Sequence, residues 1–460
     1  MCISLALLLW GYINASDICI TEIRISGNKK TKDFIIQREL PFSKGDIFPE
    51  DELIKRLQVA TNHLINTSLF NFVDVNYAAD SVESDDCQMC IVMIDVEERW
   101  YYWPEIRLKL EDRNFSSWLK EKDFKRVTIG WGLRNENLFG LRHELSANHY
   151  FGYRQGFRIS YSKISLNKKR TKLLGLSVVS LYNKTMNLFS ENDKVVYVKD
   201  PEHYLDKTFK AAVNYTYRPG HRNSHILSLG YQKTRLRDTV LKINPYYWCT
   251  NRLVNDTYTV AYNYNHERRN DKAYPTTGYY AGTEIKVAAA DRFNFFYSYM
   301  NLKLQYYNEF YPRWYWSSRL NAGTSFKNKR AYIYDQHVGY DDKIITGYDY
   351  YVIDGQHFSI LNNDIRFCLM PKRTVHLSSS EKAPQFTKIH FALYAKLALD
   401  IGYVRDKYRN DTNTLANTFL CGSGLGLDLA SFYDIVLNFS YAINKMGEGA
   451  FFFGIKAPIF

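Results

Sequence analysis

The sequence predicts a membrane-spanning antiparallel β-barrel preceded by one small α+β domain of order β-α-α-β-β. Three observations carry this reading. The 460 residues are 16% aromatic and include 38 tyrosines, yet the mean hydropathy is only −0.38. Beyond residue 15 the chain lacks a run of about 18 apolar residues, the length a transmembrane helix needs. From Trp100 onward, short segments alternate apolar and polar residues to the end of the chain. A barrel strand is apolar only at every second position, so its average hydropathy looks soluble.

The N-terminal elements follow in order. Residues 1–15 carry an apolar centre, Ile3 to Trp10, and then Ile13-Asn14-Ala15. This reads as a signal peptide, although basic residues are missing ahead of the apolar run. Residues 18–99 form the small domain. Ile23 and Ile25 alternate with Glu22, Arg24 and Ser26, a strand with one buried face. Gly27-Asn28 closes it, and Thr31 or Asp33 is placed to cap a short helix. Pro49 opens a second helix, in which Leu53, Leu57, Ala60 and Leu64 make one apolar stripe. Val73, Val75 and Tyr77 mark a second strand, and Val92, Ile94 and Val96 a third.

Residues 100–460 form the barrel. Ile106, Leu108 and Leu110 alternate with Arg107 and Lys109, and Val127, Ile129, Trp131 and Leu133 with Thr128, Gly130 and Gly132. Phe209, Val213 and Tyr217 continue the pattern. Each segment has one face fit for lipid and one for water. Aromatic clusters at Trp100–Trp103, Tyr246–Trp248 and Tyr306–Trp316 suit interfacial girdles.

Chemistry is constrained mainly by exclusion. The net charge of +12 is spread along the chain, which fits a charged lumen and loops near anionic lipid better than a nucleic-acid face. Cys87-Gln-Met-Cys90 has no second pair for a zinc site and no thioredoxin-like surroundings. A local disulfide and two unrelated cysteines are the remaining readings. Serine-hydrolase, zinc-protease, phosphate-loop and dinucleotide signatures are missing. His143, His149, His221, His225 and His266 lack ligand spacing, and Ser423 lies between glycines that ease barrel curvature. The expectation is a protein that is not an enzyme, with no cofactor, no catalytic residue and no metal.

Particular stretches then resemble a known family. "ITEIRISGNKKTKDFIIQREL", "GDIF", "LINTSLFNFVDV" and "IVMIDVEER" resemble a POTRA domain, the periplasmic module of the BamA/TamA superfamily. "WGLRNENLFGLRHEL" resembles an early strand turn of that superfamily's barrel. "YNHERRNDKAYPTTGYY" is similar to its Asp-x-Arg…Pro-x-x-Gly segment, with His266 or Glu267 at the acid. The terminal stretch from Gly424 to Phe460 resembles its last strands. The form is the single-POTRA surface-antigen type familiar from Bacteroidetes. The resemblance implies sixteen strands; the spacing alone would also fit fourteen or eighteen.

It also implies a site. In the family a long loop folds into the lumen, and an Arg-Gly-Phe/Tyr tip pairs with acids on following strands. In "IITGYDYYVIDGQHFSILNNDIRF" Gly347 and Tyr348 match the tip, while Thr346 stands where the arginine is expected. Asp364 and Asp400 match the two acids. Lys343 and Arg366 are candidate substitute cations.

The implied function is assembly or translocation of other proteins at the Gram-negative outer membrane, with the POTRA domain in the periplasm. A client strand would add to the POTRA edge, or that domain would act only as a spacer. The barrel would open at a lateral seam between Ile106, Leu108 and Leu110 on the first strand and Phe452 and Ile455 on the last. Phe460 would serve as the assembly signal. Implied partners are the lipid bilayer, unfolded client outer-membrane proteins and accessory lipoproteins, with no nucleic acid. The alternatives are a secretion pore or channel, and a non-catalytic surface antigen or scaffold.

Overall fold

The computed structural model describes residues 17–80, 87–110, 127–152, 154–167, 169–340, 343–376 and 388–456. The segment read as a signal peptide and Phe460 lie outside the described residues. The chain divides into two compact units, residues 1–99 and 100–460.

The first unit is β1 (Ile18–Ser26), α1 (Asp33–Gln37), β2 (Ile47–Phe48), α2 (Glu50–Ile65), β3 (Phe70–Ala79) and β4 (Gln88–Glu98). Its sheet order is β2-β1-β4-β3. The β1–β4 register is parallel and shifts between Ile20 and Glu22. That bulge changes the parity of β1. Ile20 therefore sits beside Cys90, and Ile23 and Ile25 beside Val92 and Ile94, all on one face. The helices cover that face. Leu53, Leu57, Ala60 and Leu64 of α2 are buried, as are Val92, Ile94 and Val96 beneath them. Each fully buried leucine contributes roughly 1.5–3 kcal/mol.

Gly27 ends β1 at φ +85, where a Cβ would fall 1.8 Å from the Val96 carbonyl oxygen. Neither Thr31 nor Asp33 caps α1, whose N-cap is Lys32. Instead the Glu98 carboxylate accepts the Lys30 and Thr31 N–H groups at 3.1 and 2.6 Å. Cys90 is buried within β4.

The second unit begins with β5 (Tyr102–Leu110), β6 (Val127–Leu138), β7 (His143–Gly152), β8 (Arg154–Ser165) and β9 (Lys172–Asn183). A hairpin, β10 (Thr185–Glu191) and β11 (Lys194–Lys199), precedes β12 (Asp206–Tyr217), β13 (Asn223–Leu236), β14 (Val254–Glu267) and β15 (Gly278–Ala290). Then come β16 (Phe295–Tyr311), β17 (Trp314–Lys327), and the short β18 (Gln336–Val338) and β19 (Ile353–Asp354). The chain closes with β20 (His357–His376), β21 (Lys388–Arg405), β22 (Phe419–Ser431), β23 (Val436–Asn444) and β24 (Gly449–Lys456). Leaving out β10, β11, β18 and β19, these make one sixteen-stranded antiparallel sheet running from β5 at one end to β24 at the other. This is the barrel that the alternation predicts.

Alternation becomes two faces. Ile129, Trp131, Leu133, Phe209, Val213 and Tyr217 are exposed, as a lipid-facing surface requires. Their intervening neighbours turn to the lumen. No helix among the described residues is long and apolar enough to cross a membrane; the crossing elements are strands. Tyr306, Phe310, Tyr311, Trp314 and Trp316 gather, exposed, around the turn between β16 and β17. Tyr247 and Trp248 depart from the girdle expectation. They are buried in a cluster with Leu188, Leu205, Val240 and Phe295, because this segment is a folded loop and not a strand end.

The longest connections share one end of the sheet. Residues 139–142, 218–222, 312–313 and 432–435 are short turns, whereas 184–205, 237–253, 328–356 and 406–418 are long. The long ones interlock. Asp193 accepts hydrogen bonds from the Thr414 N–H, the Thr414 hydroxyl and the Leu415 N–H at 2.9, 3.0 and 3.1 Å. Val352 donates its N–H to the Asp193 carbonyl at 2.9 Å. Asn413 and the Asp354 carboxylate meet at Ser190, at 2.8 and 2.5 Å.

Candidate functional site

The loop of residues 328–356 carries the site. Its tip enters a slot floored by glycines. A Cβ on Gly422 would lie 1.8 Å from the Thr346 carbonyl oxygen, and one on Gly402 would lie 2.4 Å from the Ile345 Cδ1. A Cβ on Gly424 would lie 3.1 Å from the Thr346 methyl. Gly347 itself sits at φ +84, with its Cβ direction 2.9 Å from the Ile443 backbone. Small residues on β21 and β22 thus let a loop backbone lie against strand backbone.

Polar contacts fix the tip in that slot. Asp400 Oδ2 accepts the Thr346 N–H at 2.9 Å, the Thr346 hydroxyl at 2.6 Å and the Asn362 amide at 2.7 Å. Asn362 also donates to the Ile344 carbonyl at 3.1 Å. The Tyr348 hydroxyl donates to the Cys421 carbonyl at 3.2 Å, and Asn444 donates to the Gly347 carbonyl at 3.2 Å. Ile345 and Tyr348 are buried with Phe358, Ile360, Val404 and Leu420. The tip is therefore held without a cation of its own. Hydrogen bonds to a carboxylate are stronger than neutral ones, so a threonine anchors what an arginine would otherwise anchor.

The structure separates the two acids matched from sequence. Asp400 meets Thr346, but Asp364 does not reach the tip. Asp364 pairs with Ala398, one inward position beyond the Asn362–Asp400 pair. There it is held by Arg366, by Arg319 at 2.8 Å and by the Ser317 hydroxyl at 2.7 Å. Arg366 thus serves the wall and does not replace the tip cation. Lys343 lies over the Tyr299 and Phe358 rings at 5.9 and 5.3 Å.

Sequence reasoning missed the turn that meets this wall. Residues 268–277 place Pro275 so that its carbonyl accepts Arg366 Nη1 at 3.0 Å. The Tyr274 hydroxyl donates to Asp428 at 3.0 Å, and the Arg366 guanidinium lies 4.9 Å from the Tyr274 ring. Of the two acid candidates in this segment, Glu267 fills the position. It receives Arg269 at 2.7 and 2.6 Å, while His266 bonds Asn223 at 2.6 Å. The signal was present as Glu-x-Arg followed by Pro-x-x-Gly, but its target lies some 90 residues away in sequence (Arg366).

The strands read as a seam are the two ends of the sheet order. Ile106 is 72% exposed and Ile455 51% exposed. Leu108 and Leu110 lie two and four positions further along β5, paired with Ile129 and Val127 of β6. Phe452 differs. It is buried, with its ring 5.2 Å from that of Tyr350. Positions 452 and 455 are three apart, which puts them on opposite faces of a strand.

A small two-helix, four-stranded module followed by a sixteen-stranded transmembrane barrel with an inward-clamped loop defines the class of outer-membrane barrels that carry a module ahead of the barrel. Residues 19–99 match the family model for POTRA, surface antigen variable number repeat, and residues 137–357 match that for the Omp85 superfamily domain. The chain belongs to the Omp85 superfamily, with a POTRA domain ahead of its barrel. Membership gives it a role in insertion or secretion at the outer membrane.

Solved structures agree on the fold. BamA from Haemophilus ducreyi lacking POTRA domains 1–3 superposes with a TM-score of 0.51 at 14% identity, covering 95% of this chain and 85% of that one. CdiB from Escherichia coli gives 0.52 at 12%, covering 95% and 76%. CdiB from Acinetobacter baumannii gives 0.50 at 15%, covering 95% and 73%. None of the curated proteins matches.

Proposed function

We propose that this protein assists insertion of client β-barrel proteins into the outer membrane, with its POTRA domain in the periplasm. The observation that carries the reading is the sheet order: β5 and β24 stand at its two ends, and among the described residues no ladder joins them. A sheet end offers a row of backbone N–H and C=O groups to an incoming strand. In lipid that pairing matters more than in water, because an unpaired backbone group costs several kcal/mol there. The client strand would first add to a POTRA edge, at β2 or β3, and then pair at the seam between Ile106, Leu108 and Leu110 on one side and the outward Ile455 on the other. Phe452, facing inward, would brace the seam against Tyr350 of the clamped loop. No step in this reading needs a catalytic residue, cofactor, metal or nucleotide. Unfolded client barrels and accessory lipoproteins are the partners it calls for.

The test is reconstitution of the full chain in liposomes and measurement of client-barrel folding. Acceleration that disappears when β5 and β24 are joined by an engineered disulfide is the expected result. Unchanged client folding, or acceleration indifferent to the disulfide, would refute it. A secretion pore is the second reading, favoured by the likeness to the two CdiB folds. The interlocked loops and the turn at residues 268–277 weigh against a standing open pore. Steady planar-bilayer conductance by the unmodified protein would favour secretion instead.

A further inference from the structure

The short turn between β22 and β23, residues 432–435, holds a bulky side chain in an uncommon backbone conformation. Tyr433 sits at φ 56, ψ 29, and Asp434 follows at φ 62. A Cβ is crowded in this left-handed region, so glycine or asparagine occupies it with less strain than tyrosine. The side chain that the turn carries there is buried, at 4% exposure. Its ring meets the Trp103 ring edge-on, with centroids 4.9 Å apart and planes at 84°, a favoured aromatic arrangement. Its hydroxyl accepts the Trp100 N–H at 3.2 Å. Trp103 lies on β5, at one end of the sheet order, whereas β22 and β23 stand third and second from the other end. The contact therefore crosses the closure of the barrel, where among the described residues no ladder joins β5 to β24.

The strands beside the closure are held by contacts that do not span it. β24 is tied inward, with the Phe452 ring 5.2 Å from that of Tyr350 and Lys456 Nζ donating to the Ala273 carbonyl at 3.2 Å. β5 is tied to its own neighbour, by the ladder from Tyr102 to Leu110 and by the Arg134–Glu105 ion pair at 2.9 Å. Tyr433 joins one side to the other. We propose that Tyr433 is a latch, whose ring and hydroxyl hold the start of β5 against the last hairpins and keep the seam shut at the short-turn end. A residue persists in a sparsely populated conformation only while its surroundings hold it there. Losing the contact with Trp103 therefore also frees the turn to relax, and the relaxation offsets part of the cost of opening. Use of that opening by a client strand rests on the insertion reading; the latch itself does not.

The test is amide hydrogen exchange of the full chain in liposomes without client, set beside the rate of client-barrel folding. Tyr433→Asn suits the left-handed backbone and removes the ring. The amides of residues 100–106 should exchange at least tenfold faster in it, and those of β13 within twofold of the parent. Tyr433→Phe, which keeps the ring and loses the hydroxyl, should fall between. Trp103→Leu breaks the same contact from the other side and should reproduce Tyr433→Asn, and the double variant should add little to either, as residues in contact do. It carries the test alone if Tyr433→Asn does not fold. Unchanged exchange at residues 100–106 would overturn the latch. So would equal acceleration in β13, the result expected of a tyrosine that only stabilises the barrel as a whole. Client folding separates the latch from the insertion reading. Faster exchange with faster client folding supports both, whereas faster exchange with unchanged client folding upholds the latch and counts against insertion.

Discussion

At the scale of single residues, the informative position is Thr346. The superfamily resemblance expects an arginine there, and loss of that charge suggests a slackened loop. The geometry shows a different anchor, in which Asp400 collects two donors from Thr346 and one from Asn362. Charge on the loop is not needed when a hydroxyl and a backbone N–H converge on one carboxylate oxygen. Thr346→Val keeps the shape and the N–H but removes the hydroxyl, and should cost about 1.5–3 kcal/mol. Asp400→Ala strands all three donors and should cost more, roughly 3 kcal/mol or above. Asp400→Asn keeps an acceptor for them and should be milder than either. Urea midpoints of the refolded barrel would rank the three; equal effects of Asp400→Ala and Asp400→Asn would show that the tether carries little energy. This anchor was only half legible in the sequence. Gly347, Tyr348 and Asp400 could be matched by type, but which carboxylate faces the tip depends on a register of strands that composition does not reveal. Asp364 was matched equally well and belongs to another network.

At the scale of elements, glycine placement decides how the loop sits. Gly422 and Gly402 both lie under the tip, yet a Cβ at each meets different matter. At 422 it meets the Thr346 carbonyl oxygen at 1.8 Å, which is backbone and must move. At 402 it meets the end of the Ile345 side chain at 2.4 Å, which can rotate. Gly422→Ala should therefore expel the tip and expose residues 343–351 to limited proteolysis, whereas Gly402→Ala should leave cleavage near the parent rate. Equal protection in both would contradict the slot. In the small domain, α2 offers a simpler case. Leu64 is fully buried, and Leu64→Ala should cost about 2–5 kcal/mol by cavity formation, measured as the shift in the domain's unfolding transition. That stripe was wholly legible, because a 3.6-residue period needs no partner to be seen. Strand alternation was legible for the same reason. The Gly422 contact was not, since a glycine in a strand signals close approach without saying what approaches. Tyr247 and Trp248 misled because aromatic clustering alone does not distinguish a membrane girdle from the core of a folded loop.

At the scale of the whole barrel, the long loops form a closure whose strength should depend on pH, and Asp354 is the group that makes it so. Asp354 lies in the loop before β20, is 7% exposed, and binds the Ser190 hydroxyl of the β10–β11 hairpin at 2.5 Å. Burial, reinforced by nearby Asp406 and Asp335, pushes its carboxyl up to about 7. Asp406 and Asp335 themselves share the Gln356 amide at 2.9 and 3.0 Å, so ionising Asp354 adds a third negative charge to that corner. The folded value lies above the unfolded value of 3.8, so the folded loops bind the proton more tightly than the open ones. The stabilisation is full below the unfolded value and is lost as pH rises through about 7. The closure should therefore be tighter at pH 5.5 than at pH 8.5, by an amount on the order of a few kcal/mol. Asp354→Asn, which stays neutral throughout, should abolish most of that difference. Protease cleavage within residues 184–205 and 406–418 measures it directly, because Asp193, Ser190 and Asn413 join those loops. Faster cleavage at pH 8.5 in the parent and a flat response in Asp354→Asn are expected. A pH response in Asp354→Asn equal to that of the parent would assign the closure's pH dependence to some other group.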